Sequence, residues 1–158
     1  MDELRSALSE IGMANGIALE LDDAGACDLE TADGGVVHVQ YRANLEELDF
    51  VAPLGAVPDA AEQGVYRELL AANFYWRETV GATLSYSVEL DQVVLAYPLN
   101  VAVVDRKEIE VVFTSFMELR SNWIQRLADL IADEVEEGDD AGELIVENLD
   151  AGSEMVRV

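Results

Sequence analysis

The sequence predicts an α+β fold: an antiparallel twisted sheet of about five or six strands with three helices, in the order α-β-β-β(-β)-α-β-β-α. Three observations predict it. Apolar residues recur at helical spacing in three places, the runs between them alternate with a period of two, and short Asp- and Gly-rich breaks separate those runs. The 158 residues are 51% apolar, enough for one packed core.

Leu4, Ala7, Leu8 and Ile11 lie one helical turn apart, and Asn15-Gly16 supplies residues suited to a helix end. From Ile17 the period becomes two, through Ile17/Leu19/Leu21, Cys27/Leu29, Val37/Val39/Tyr41 and Leu48/Phe50/Ala52/Leu54. Alternation of this kind describes strands with one buried and one solvated face, and Asp22-Asp23-Ala24-Gly25 and Asp33-Gly34-Gly35 fit the hairpin turns between them. Pro53, Gly55 and Pro58 are expected to end this meander. Asp59 with Glu62 forms a capping-box pattern for a second helix running to about Trp76 or Glu78. Gly81 breaks that helix, Leu84/Tyr86/Val88 resume the alternation, and Glu89 to Gln92 turn the chain into Val93–Tyr97. Because Val93–Tyr97 is apolar on both faces, it is expected at the centre of the sheet.

Asp105 and Glu108 repeat the capping pattern ahead of a third helix with Ile109, Val112, Phe116, Leu119, Trp123, Leu127 and Leu130 in one stripe. From Lys107 to about Glu136 it would extend roughly 45 Å. Residues 1–136 are thus expected to form one domain. Residues 137–158 read as an acidic, mobile C-terminal tail, with an autoinhibitory strand or a clip across a groove as the alternative.

The formal charge of -24 disfavours nucleic acid and anionic membrane surfaces as partners. The longest apolar run, Val93 to Leu99, is far short of a membrane span and contains Pro98. The acidic, amphipathic start MDELRSALSE is unlike a signal peptide, so a cytoplasmic location is expected. Cys27 is the single cysteine and reads as a buried, inert thiol on a strand; an intrachain disulfide and a cysteine-rich zinc site are excluded.

Chemistry finds little support. His38, the one histidine, falls on the polar face of a strand with no nucleophile suggested nearby. No stretch has calcium-loop spacing, and Gly34-Gly35 lacks the helix and lysine of a phosphate loop. Asp22-Asp23 and Asp139-Asp140 read as a turn and a solvated tail. No catalytic, cofactor-binding or metal-binding residue is assigned, and no cofactor is expected. The apolar surplus says more. In the second helix Val65, Leu69, Ala72 and Trp76 share one face while Tyr66, Leu70 and Phe74 lie beside or beyond it, an arc wider than one core contact needs. Such a helix is either central to a larger core or packed against a second copy of the chain.

The order of elements, with LLAANFYW at 69–76 followed by GATLS at 81–85 and LGAVP at 54–58, resembles the class I chaperones of bacterial type III secretion systems, the Tir-chaperone-like family. The resemblance covers most of residues 1–136. It implies a homodimer without enzymatic activity, which holds the extended N-terminal segment of a secreted effector in the bacterial cytoplasm by strand addition and side-chain pockets. Strong acidity would favour a basic partner segment. Leu4, Leu8, Ile11, Leu19, Leu29, Val37, Val39 and Tyr41 are the expected partner contacts. Val65, Leu69, Phe74, Trp76, Leu84 and Tyr86 are the expected dimer interface. A regulatory or scaffolding domain like the YbjN-type proteins, binding a folded partner, is the alternative; an acid–base or metal-dependent enzyme rests only on carboxylate abundance.

Overall fold

The computed structural model describes the backbone of residues 2–153 and the side chains of residues 2–136. Helix α1 (Asp2–Asn15) leads into strands β1 (Ala26–Glu30), β2 (Val36–Arg42) and β3 (Glu47–Gly55). Helix α2 (Glu62–Ala72), strands β4 (Thr83–Ser87) and β5 (Gln92–Asn100) and helix α3 (Arg106–Ser153) follow. All strand pairings are antiparallel, in the spatial order β1-β2-β3-β5-β4. β5 is therefore interior but not central, and β3 takes the middle.

Alternation decides the layering. The pairings Leu29↔Val37, Val39↔Phe50, Leu48↔Leu99 and Leu84↔Leu95 bring buried apolar residues onto one face of the sheet. These residues form one cluster with Leu8 and Ile11 of α1, Val65 and Leu69 of α2, and Ile109, Phe113, Phe116, Trp123 and Leu127 of α3. At its centre the Phe50 ring lies 5.8 Å from that of Phe113 and 5.7 Å from that of Phe116. Burying such rings contributes more than any other residue type per side chain. The opposite face carries Asp28, His38, Gln40, Arg42 and Asp49, beside a strip of Val51, Pro53, Val94 and Ala96.

Four expectations are corrected. Ile17–Leu21 buries Leu19 and Leu21 in alternation but makes no strand, so the sheet has five strands. Asp22 ends this segment as a turn residue: its side chain accepts from the N–H groups of Ala24 and Ala26, both at 2.9 Å. Pro53 and Gly55 lie within β3 rather than ending it; Pro53 pairs only with β5, next to a register shift, where its missing donor is tolerated. The Asp59/Glu62 box makes no side-chain cap, because a 3-10 turn at Asp59–Ala61 precedes α2. α2 itself stops at Ala72, and a separate 3-10 turn holds Phe74–Trp76.

The Asp105/Glu108 box does form: Glu108 N–H donates to Asp105 Oδ1 at 3.0 Å, and Asp105 N–H to Glu108 Oε2 at 2.7 Å. α3 is longer than the expected Lys107 to about Glu136, and the expected acidic tail at 137–158 lies outside the residues whose side chains are described. Where α3 passes the β1–β2 turn, Arg120, only 3% exposed, pairs with Asp33 at 2.9 Å. A Cβ on Gly35 would lie 2.0 Å from Arg120 Nη2, so only glycine admits this guanidinium. The Thr31 hydroxyl and then Arg120 hold the Asp33 carboxyl down to about 2.

Candidate partner-binding surfaces

Leu8, Ile11, Leu19, Leu29, Val37 and Val39 are each at most 3% exposed and belong to the protomer core. The reason is directional: the apolar side of β1 and β2 is the side the helices cover, and the outward side carries the polar residues. Contact with a partner through these six side chains would require the core to open. Leu4 and Tyr41 differ. Both are half-buried, and they stand together on the wall of a cavity of about 490 Å³ between α1 and the turn joining β5 to α3.

Ala7, Val101, Val104 and Ile109 add to the apolar part of this cavity, and Glu3, Glu46, Asp105 and Arg106 stand exposed around it. Glu46 is fixed by its backbone. It adopts a left-handed conformation (φ 54°) uncommon for a non-glycine residue, while its carbonyl accepts from Val101 N–H at 2.8 Å. The wall formed by α1 is tied at both ends, because Arg5 donates to the carbonyl of Leu21 at 3.0 Å and Arg106 of α3 pairs with Glu10.

Both sheet edges end without a further strand among the described residues: β1 on one side, β4 on the other. Beside β1 runs the extended Ile17–Ala18 segment, which lines a second cavity with Asp28, Leu29 and Glu30. An unpaired edge presents backbone donors and acceptors to any extended chain that approaches it.

The expected dimer residues divide. Val65, Leu69 and Leu84 are buried in the protomer, whereas Phe74, Trp76 and Tyr86 are 68%, 55% and 41% exposed. Asn73 builds the step between α2 and β4: its side-chain amide donates to Leu84 O at 2.8 Å and its side-chain oxygen accepts from Leu84 N–H at 2.9 Å. The chain then takes positive φ at Tyr75, Trp76, Val80 and Gly81. Three of these are bulky residues in a conformation that costs energy. The result is a turn whose aromatic side chains face outward, with the rings of Phe74 and Tyr75 edge to face at 4.6 Å. Leu70, Val80, Val88 and Val111 are exposed as well. The periodic patterns pointed to neither Val80, which lies in the turn before β4, nor Val111, which lies beside the Ile109/Val112/Phe116 stripe.

The other reactive side chains are structural in their surroundings. His38 Nδ1 lies 2.6 Å from Asp28 Oδ1, its cross-strand neighbour on the solvated face. Cys27 is half-buried rather than buried; burial pushes its thiol up. Tyr86 donates to Asp91, which pushes its hydroxyl up to about 12. Among the described residues no three acidic, His or Cys side chains are grouped to hold a metal ion, and no helix is long and apolar enough to cross a membrane.

A five-stranded antiparallel sheet covered by helices on one face, with open edges and outward-facing aromatics, defines a small α+β binding protein. The sequence profile of the Tir chaperone protein (CesT) family matches residues 6–124, and the chain belongs to that family. No curated protein sequence matches the chain. Among solved structures the fold is similar to a chain of the ExsC–ExsE complex (TM-score 0.67, 20% identity), covering 80% of this chain and 94% of that one. It is also similar to chains of the HopA1–SchA chaperone–effector complex (TM-score 0.62, 12% identity; 80% and 93% covered) and of the heterodimeric ExoU–SpcU complex from the type III secretion system of Pseudomonas aeruginosa (TM-score 0.59, 20% identity; 81% and 97% covered).

Proposed function

We propose that this chain is a homodimeric, non-enzymatic chaperone that holds the extended N-terminal segment of a type III secreted effector in the bacterial cytoplasm. Membership of the Tir chaperone family over residues 6–124 carries this reading, because the matched region includes α1 from Ser6 onward and the aromatic turn. The HopA1–SchA relative is a chaperone–effector complex, which supports the same role here. The protein's own geometry supplies what the role needs. Free edges at β1 and β4 accept an added strand, and outward aromatics at 74–76 offer apolar area of the kind that packs against a twin subunit. Holding a segment extended leaves it unfolded for a narrow export channel and requires no nucleotide.

Purification of the tagged protein from its native bacterium, followed by limited proteolysis of the complex, tests the proposal. The expected result is a protected N-terminal fragment of one secreted protein, with the rest of that protein cleaved normally. Protection of an intact, folded partner would favour the regulatory or scaffolding reading.

A further inference from the structure

A further cavity, of about 490 Å³, lies where the β1–β2 turn meets α3. Most of the surface it offers is apolar, from Ala32 of the turn and the half-buried Met117 and Ile124 of α3. Arg120 forms part of its wall, and this guanidinium is incompletely used. Its Nη1 donates to both carboxylate oxygens of Asp33, at 3.2 and 2.9 Å. Nε is enclosed without a partner, and no described hydrogen bond uses Nη2. A side chain only 3% exposed that engages one of its three nitrogens leaves donors without acceptors, a state that costs free energy until an acceptor arrives. On the α3 side of the same cavity Ser121 Oγ donates to the Met117 carbonyl at 3.1 Å, and its lone pairs stay open to a donor.

We infer that this cavity takes an uncharged peptide unit of a partner protein, with an apolar side chain against Met117 and Ile124, its carbonyl on the unpaired side of Arg120 and the neighbouring N–H on Ser121. The inference goes beyond the chaperone reading and does not depend on it. Charge selects the occupant. Asp33 already balances the guanidinium, so the missing group is an acceptor rather than a counter-ion. Glu118 stands exposed at the rim and forms no ion pair among the described residues, and the whole chain carries a formal charge of -24. A second carboxylate would enter against both. A cation would compete with Arg120 for Asp33 and leave Nε as it is. A neutral carbonyl supplies the acceptor without adding an unbalanced charge to an apolar site. The guanidinium is also held in place beforehand, because Gly35 lets the turn close onto it: a Cβ there would lie 2.0 Å from Nη2.

Titration of the ¹⁵N-labelled full chain, followed by nuclear magnetic resonance at the Arg120 Nε–H signal, tests this with three small probes. They are N-acetyl-leucine N-methylamide, N-acetyl-leucine with its free carboxylate, and N-acetyl-serine N-methylamide. The leucine amide is expected to move the signal saturably and to bind roughly threefold or more tighter than either of the others. Ile124→Gln, which alters the apolar wall, should weaken it by about fivefold, whereas Val88→Gln, at an exposed position in the β4–β5 turn, should not change it. Asp33→Asn removes the balancing charge and keeps the wall, so it should shift the preference towards the free carboxylate. No saturable shift with any probe, equal binding of all three, or a wild-type preference for the carboxylate would overturn the inference. So would an Asp33→Asn chain with unchanged selectivity, or an Ile124→Gln chain indistinguishable from Val88→Gln.

Discussion

The α1–β2 region and the aromatic turn at 74–76 are both rich in apolar residues at regular spacing, yet the first buries them and the second displays them. Leu8, Val37 and Val39 are at most 1% exposed, while Phe74 and Tyr75 are 68% and 75% exposed. The difference lies in backbone conformation. In α1 and β2 the spacing is carried by regular helix and strand, so one face turns consistently towards the other layer. At 74–76 the helix has stopped, and positive φ at Tyr75 and Trp76 rotates the side chains out of register with α2. Periodicity thus locates a core only where the regular element persists. Apolar residues placed where it breaks, in a strained conformation, are candidates for contact with another molecule.

Four substitutions bear on that contrast. The largest effect is expected from Leu8→Ala, which should cost about 2–5 kcal/mol in chemical unfolding, because it opens a hole in packed apolar surroundings. An unchanged midpoint would make Leu8 a surface contact after all and erase the contrast. Trp76→Ala should instead leave protomer stability nearly intact and weaken self-association by roughly 30-fold or more, about 2 kcal/mol for a buried aromatic anchor, as read by light scattering across a dilution series. Loss of stability with no change in mass would mean that the aromatic turn serves its own protomer.

Asp33→Asn should cost on the order of 1–2 kcal/mol, since it leaves the buried Arg120 guanidinium with a weaker acceptor while solvent reaches the Asp33 side. Its pH dependence has a defined sign. The folded carboxyl titrates at about 2, below the roughly 3.9 of an unfolded aspartate, so its contribution is complete above that unfolded value and lost as pH falls from about 4 towards 2. The stability gap between wild type and Asp33→Asn should therefore close over that interval; a constant gap would assign the effect to packing. Smallest is Glu108→Ala, expected to cost about 0.3–1 kcal/mol through the lost capping bond to Asp105 N–H.

Much of the fold was legible because local chemistry and tertiary packing agree. The Asp105/Glu108 box, the alternation of Val37/Val39/Tyr41 and the stripe from Ile109 to Leu127 all correspond to what the structure forms. Disagreement arose where one signal had two structural solutions. Alternation at Ile17–Leu21 reports which side chains turn inward but not whether the backbone pairs, and here it does not. The Asp59/Glu62 spacing is the same as at Asp105/Glu108, but after Pro58 the chain enters through a 3-10 turn and the bonds go unmade. The surfaces were harder to read than the fold. Leu4 and Leu8 have the same residue type on one helix, and only the approach of the β5–α3 turn makes one line a cavity and the other fill the core. Glu46 gave no sign in sequence, since its place at the cavity depends on a left-handed turn and a bond to Val101.

Hydrogen–deuterium exchange on the co-purified complex, compared with each component alone, probes the holding of an extended guest most directly. Slowed exchange is expected in one short N-terminal stretch of the guest and along β1 or β4, with rates in the Phe50–Phe116 core unchanged. Guest amides protected throughout a cooperatively folded domain, with both edge strands exchanging as freely as before, would contradict it.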